Sequence, residues 1–135
     1  MSITHKANDR TMLRAKIHRI RVTERDLEYE GSLTLDLDLM DAADMVAYER
    51  VEVYDVENGS RFATYLIEGE RGSGVCCVNG AAAHMVNMND RLILASYTTV
   101  TDSAARDHQP QVVIVGAENK IKQTKSAEHE GVRVS

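Results

Sequence analysis

Apolar residues alternate with polar ones along most of this chain, with a period of two rather than 3.6, so the predicted elements are mainly strands. Leu13, Ala15 and Ile17 alternate with Arg14, Lys16 and His18, and beyond His18 the apolar positions move to Ile20 and Val22. A slip of one residue near His18-Arg19 predicts a β-bulge, a device that re-aims side chains near sites and barrel rims. Lys16 and His18 share one face of that strand. Residues 23–28 are polar and turn the chain. Over 32–38, Leu33, Leu35 and Leu37 fall on one side and Thr34, Asp36 and Asp38 on the other. Asp38 then predicts an N-cap for a short helix over 39–47.

Val51, Val53 and Asp55 alternate with Glu52, Tyr54 and Val56, which predicts another strand. Asn58-Gly59 is the strongest hairpin signal in the chain, with a returning strand over 61–67. A charged, glycine-rich loop over 68–74 leads to a short apolar strand over 75–78. That strand ends in Asn79-Gly80, three alanines and His84. A mostly apolar strand follows over 91–100, then one or two helical turns within 101–108 capped by Thr101 or Asp102. Pro110 precedes a last strand over 111–115. Six or seven short strands with two small helices and no repeat predict a mainly β domain, closed as a small barrel to avoid open edges. The barrel domain is expected over 12–116, after a loose leader (1–11) and before a mobile polar tail (117–135).

The length of 135 residues suits one domain, and 43% apolar with 27% charged residues argues against wholesale disorder. A net charge of −5 speaks against a general nucleic-acid binder, though not against a local basic patch. Arg14, Lys16, Arg19, Arg21 and Arg25 make such a basic strand and turn. They are read either as a solvated face or as a nucleic-acid surface on a non-enzymatic binding module. No apolar run approaches the roughly 18 residues of a membrane span, and the polar start lacks a signal-peptide core, so a cytoplasmic location is the expectation. Cys76 and Cys77 are adjacent, so in a strand they point to opposite faces, and CxxC metal spacing is missing. The five histidines show no pair at ligand spacing.

The tetrapeptide Tyr29-Glu30-Gly31-Ser32 reads either as a turn leading into the strand that follows or as a peptide bond suited to an N-to-O acyl shift, because the serine hydroxyl is an internal nucleophile next to an unhindered carbonyl. Arg61, Thr64 and Tyr65 sit on one predicted strand. Regular alternation puts Thr64 and Tyr65 on opposite faces, so both serve one site only if the strand is irregular or a second subunit wraps round it.

Five short blocks in order resemble the pyruvoyl-dependent aspartate 1-decarboxylases. They are Lys16-Ile17-His18-Arg19, Tyr29-Glu30-Gly31-Ser32, Asn58-Gly59 with Arg61-Phe62-Ala63-Thr64-Tyr65, Glu70-Arg71-Gly72-Ser73, and Val78-Asn79-Gly80-Ala81-Ala82-Ala83-His84. The resemblance implies a double-psi β-barrel, a homotetramer with sites between subunits, and a role making β-alanine for pantothenate and coenzyme A. It implies that Ser32 attacks the Gly31 carbonyl to give an ester. Elimination and hydrolysis then release ammonia and leave a covalent pyruvoyl group heading residues 32–135, while 1–31 becomes a smaller chain. That group would form a Schiff base with L-aspartate and accept the electrons released as the α-carboxylate departs.

By the same resemblance Thr64 hydrogen-bonds the Gly31 carbonyl during scission, and Tyr65 gives the proton to the former α-carbon. Arg61, Lys16 and His18 supply cations to the dicarboxylate, and Tyr54 lines the site where the family often has tryptophan. Asn79 hydrogen-bonds the reacting group, and the small residues Gly80, Ala81 and Ala82 bring backbone amides close to substrate. A maturation helper protein is a further partner that the resemblance leaves open.

Overall fold

In the computed structural model, which describes residues 8–126, the first strand β1 (Asp9–Arg21) runs antiparallel to β7 (Arg91–Thr101). Their ladder shifts register between His18 and Ile20, and Arg19 there adopts a φ of 74°. The expected bulge is therefore present. It lets Ile17 and Ile20, three residues apart, both reach the core, where each is fully buried. Burial of a side chain that size stabilises by about 1.5–3 kcal/mol, enough to outweigh a strained arginine backbone.

The other strands are β2 (Glu24–Asp26), β3 (Ser32–Asp36), β4 (Arg50–Asp55), β5 (Arg61–Gly69), β6 (Cys76–Asn79), β8 (Gln111–Val115) and β9 (Ile121–Lys125). They join in the order β2-β6-β3-β5-β4-β7-β1-β8-β9. The domain is mainly β with short helices, as the alternation predicts, but its described residues form nine strands rather than six or seven. The two extra strands are the short β2, three residues long, and β9, which has only Ile121 as an apolar residue. Neither carries an alternation that could be read. β5 couples the two halves of the sheet: its first residues pair with β4 and its last with β3. Leu33 and Leu35 of β3, Leu66 of β5, and Leu92 and Leu94 of β7 meet in one buried cluster.

Helix α1 spans Leu37–Ala43 instead of 39–47, and its N-cap is Asp36 rather than Asp38. The reason lies in the Asp36 carboxylate, which accepts N–H groups from Asp38 (2.8 Å), Gly72 (2.9 Å) and Gly74 (2.7 Å). Three backbone donors at one carboxylate end the strand there and tie the 70–74 loop to the helix. Burial works against the Asp36 carboxylate, but those hydrogen bonds prevail and hold it below its ordinary value. The short helix α2 (Asp102–Ala105) is capped by Thr101, whose hydroxyl accepts from Ala104 N at 3.2 Å. The small residues Gly80, Ala81 and Ala82 open a 3-10 helix (Gly80–Met85).

The leader expected over 1–11 lies outside the described residues up to residue 7, and from Asp9 onward that stretch is strand. Likewise 127–135 of the expected tail lies outside them, while 121–125 is β9. Cys76 and Cys77 are free thiols, Cys76 in the core cluster and Cys77 on the other face of β6.

Candidate active site

The Gly31-Ser32 link enters β3 at a buried point. Ser32 is fully buried and lies opposite Asn79 in the antiparallel β3/β6 register. Its hydroxyl donates to the Glu30 carbonyl at 3.3 Å and accepts from Asn79 Nδ2 at 2.9 Å. The second Nδ2 hydrogen goes to Thr34 Oγ1 at 3.1 Å, and Asn79 Oδ1 accepts from the Cys77 thiol at 3.1 Å. Asn79 is itself buried, and both of its N–H donors are spent on the cluster around Ser32. An N–H aimed at Oγ favours the alkoxide that forms as the hydroxyl gives up its proton, a charge that passes to the Gly31 carbonyl oxygen when Oγ attacks.

Glycine is demanded at position 80 more than at 31. Gly80 adopts a φ of +68°, and a β-carbon there would stand 2.7 Å from Gly31 Cα and 2.8 Å from Gly31 N. At Gly31 an added β-carbon meets nothing within 4 Å. The crowding thus presses the 3-10 helix against the Gly31-Ser32 link from the Gly80 side. Ala81 and Ala82 follow on its first turn, and the Ala83 carbonyl accepts from Arg25 Nε at 3.1 Å.

A second group of side chains lies along one row of the sheet. Arg61 pairs with Tyr54, Tyr54 with Ile93, and Ile93 with His18, so β5, β4, β7 and β1 contribute in turn. The Arg61 guanidinium stacks 4.4 Å from the Tyr54 ring centroid. Tyr54 and Tyr97 join hydroxyls at 3.0 Å, and that hydrogen bond, with burial, pushes the Tyr97 phenol up to about 12. Lys16 lies two residues from His18 on the same face. Behind the hairpin that carries Tyr54 and Arg61, the buried Asp55 accepts from Glu57 N (2.8 Å) and Asn58 N (3.3 Å). Burial and a hydrogen bond with the Asp90 carboxyl push Asp55 up to about 6.

The structure brings Ser32, Gly31, Asn79 and Gly80 together, and separately Arg61 and Tyr54. The hydrogen bonds of Ser32 and Asn79 run to each other and to Glu30, Thr34 and Cys77, whereas Arg61 stacks on Tyr54. Lys16 and His18 stand on β1, four strands from β3 in the sheet order. Thr64 and Tyr65 face opposite ways, since the β4/β5 ladder runs through Val51↔Thr64 and Arg50↔Tyr65 without a shift. The parallel β3/β5 register starts at Leu33↔Leu66, so extending it back by one sets Tyr65 level with Ser32.

Sequence reasoning missed Thr34 and Tyr97. Thr34 had a signal, because alternation puts it on the same face as Ser32. Tyr97 had none short of knowing that β4 and β7 are neighbours. The basic stretch does not present one continuous cationic surface. Arg14 pairs with Glu49 at 2.5 Å, Arg21 donates to the Asn89 carbonyl at 2.9 Å, and Arg25 turns to Ala83.

A sequence model of aspartate decarboxylases matches residues 8–122. The chain is 51% identical over 116 residues to an aspartate 1-decarboxylase of Cupriavidus taiwanensis, covering 86% of this chain and 97% of that protein. It is 49% identical over 117 residues to the aspartate 1-decarboxylase of Ralstonia nicotianae, with 87% and 98% covered. The aspartate 1-decarboxylase of Cupriavidus necator is 50% identical over 116 residues, with 86% and 97% covered.

Proposed function

We propose, from the premise that this chain belongs to the aspartate decarboxylase family, that it removes the α-carboxylate of L-aspartate to give β-alanine and carbon dioxide. It is then a carboxy-lyase whose product feeds pantothenate and coenzyme A synthesis. The observation that carries the reading is the buried contact of Asn79 Nδ2 with Ser32 Oγ, set against the crowded Gly31-Gly80 approach.

The working group is a pyruvoyl made from Ser32 after scission at Gly31. When formed, it supplies a ketone and a conjugated carbonyl that accept the electron pair of the breaking carboxylate bond. The residues present fit it. Asn79 Nδ2 already donates to an oxygen at this position, Ser32 and Asn79 are buried, and no side chain rises from Gly80. Thr64 stabilises the Gly31 carbonyl during scission. Tyr65, level with Ser32 on the neighbouring strand, holds the proton that the former α-carbon receives. Arg61 grips a substrate carboxylate with two parallel N–H groups, its plane fixed by the Tyr54 stack. Lys16 and His18 add positive charge, and Ala81 and Ala82 lay backbone against substrate.

The reading extends to a homotetramer in which a neighbouring copy completes each site. Two placements support that extension: Thr64 and Tyr65 face apart, and the β1 cations stand four strands from Ser32. The parallel pairs β1/β8 and β3/β5 in an otherwise mostly antiparallel ladder support the double-psi β-barrel.

Intact mass over time tests the proposal. Scission should yield fragments 1–31 and 32–135, and reduction with borohydride in the presence of labelled aspartate should mark the larger one. Ser32→Ala should abolish both. A chain that stays whole and releases no carbon dioxide refutes the reading. Repeating the time course with and without cell extract reads any contribution of a helper protein.

A further inference from the structure

The Cys77 thiol plays no part in the activity described above, yet it touches the residue that addresses Ser32. Asn79 could sit in either of two amide orientations, with its oxygen or its nitrogen toward Ser32. Ser32 and Thr34 are hydroxyls, able to donate or accept, so they tolerate both. Cys77 breaks the tie. Its sulfur lies 3.1 Å from Asn79 Oδ1, and a protonated thiol there can be satisfied by oxygen but poorly by an NH2 group. Burial, followed by the charges of Glu24 and Asp26, pushes this thiol up to about 11, so it keeps its proton near neutrality.

We infer that Cys77 is a positioning residue: by donating to Asn79 Oδ1 it fixes the amide with Nδ2 toward Ser32 Oγ, and so sets the rate at which the Gly31-Ser32 link opens. With the amide reversed, Oδ1 would hold the serine proton in a hydrogen bond, and no donor would stabilise Oγ as that proton leaves. The Ser32 proton is instead directed to the Glu30 carbonyl at 3.3 Å, which is compatible only with an N–H arriving from Asn79. Glu24 faces Cys77 across the parallel β2/β6 pair, and its carboxylate is a second acceptor within reach of the single thiol proton. Competition from Glu24 weakens the donation to Asn79, so Glu24→Gln should leave scission unchanged or faster.

This inference rests on Gly31-Ser32 being the link that is processed. The full chain is purified as wild type and as Cys77→Ser, Cys77→Ala and Cys77→Val, and the first-order loss of intact mass is followed alongside thermal melting. Cys77→Ser, which keeps a donor, should cleave within about threefold of wild type, whereas Cys77→Ala and Cys77→Val should be roughly tenfold slower. Valine nearly preserves the volume, so slow cleavage in a variant that melts like the serine variant separates orientation from packing. Should valine fail to fold, the alanine variant carries the comparison. Wild-type rates in the alanine or valine variant overturn the inference, as does a serine variant as slow as alanine. A wild-type chain that never cleaves sinks the underlying reading of the link, and this one with it.

Discussion

Gly80 stands so close to Gly31 that a single added methyl group would come within 2.7 Å of the Gly31 α-carbon. The two glycines therefore have unequal duties. Gly80→Ala must also occupy a φ of +68°, costing about 1–2 kcal/mol before any clash. We expect it to slow scission roughly tenfold or more by displacing the link. Gly31→Ala meets open space and should keep the melting temperature of wild type. Intact mass and thermal melts on both variants check the asymmetry.

Tyr65→Phe separates making the site from using it. The proposed mechanism gives the phenol no part in opening the Gly31-Ser32 link, so the variant should cleave at the wild-type rate. Carbon dioxide release should nevertheless fall by roughly a hundredfold or more, because the proton source is gone. Equal loss in both assays would assign Tyr65 to scission instead.

Arg61 lies flat on Tyr54, and Tyr54 is held at its hydroxyl by Tyr97. Arg61→Lys loses the planar fork and the stack, so KM for aspartate should rise about tenfold with a smaller change in kcat. Tyr97→Phe removes only the 3.0 Å hydroxyl contact, and a rise of about two- to fivefold is expected. Steady-state kinetics on cleaved protein give both numbers.

Asp55 faces the Asp90 carboxyl behind the same hairpin. Asp55 titrates in the folded state at about 6, against 3.8 for the ordinary group. A raised carboxyl contributes stability that is fully present below 3.8 and is lost as pH rises through about 6. Wild-type stability should therefore decline across that window. In Asp55→Asn, Oδ1 can still accept from Glu57 and Asn58 while the new NH2 faces Asp90, so the decline should shrink by about 1–2 kcal/mol. Urea melts at the two ends of the window measure it.

Much of the fold could be read from alternation because the core is one-sided. Ile17 and Ile20 announced the bulge, Asn58-Gly59 the hairpin, and the pair Thr101-Asp102 the cap of α2, which the structure assigns to Thr101. The misplaced start of α1 has a tertiary cause. Asp36 and Asp38 look alike locally, and only the N–H groups of Gly72 and Gly74, more than thirty residues on, single out Asp36. The site was legible as a set of residue types but not as an arrangement. Nothing local in Asn79 says that it faces Ser32, because that depends on β6 pairing with β3. The β1 cations could not be set apart from Ser32 before the order of β5, β4 and β7 was known.

Strand β1 lies between β7 and β8, and a cut after residue 31 leaves it on the shorter piece. The mature protein would then be two polypeptides sharing one interior, with Ile17 and Ile20 of the small piece sealed among residues of the large one. Such a protein survives its own breakage only while folded. Once unfolded, the pieces diffuse apart, and recovery becomes a second-order encounter that slows on dilution. The uncut precursor would refold at a rate indifferent to concentration.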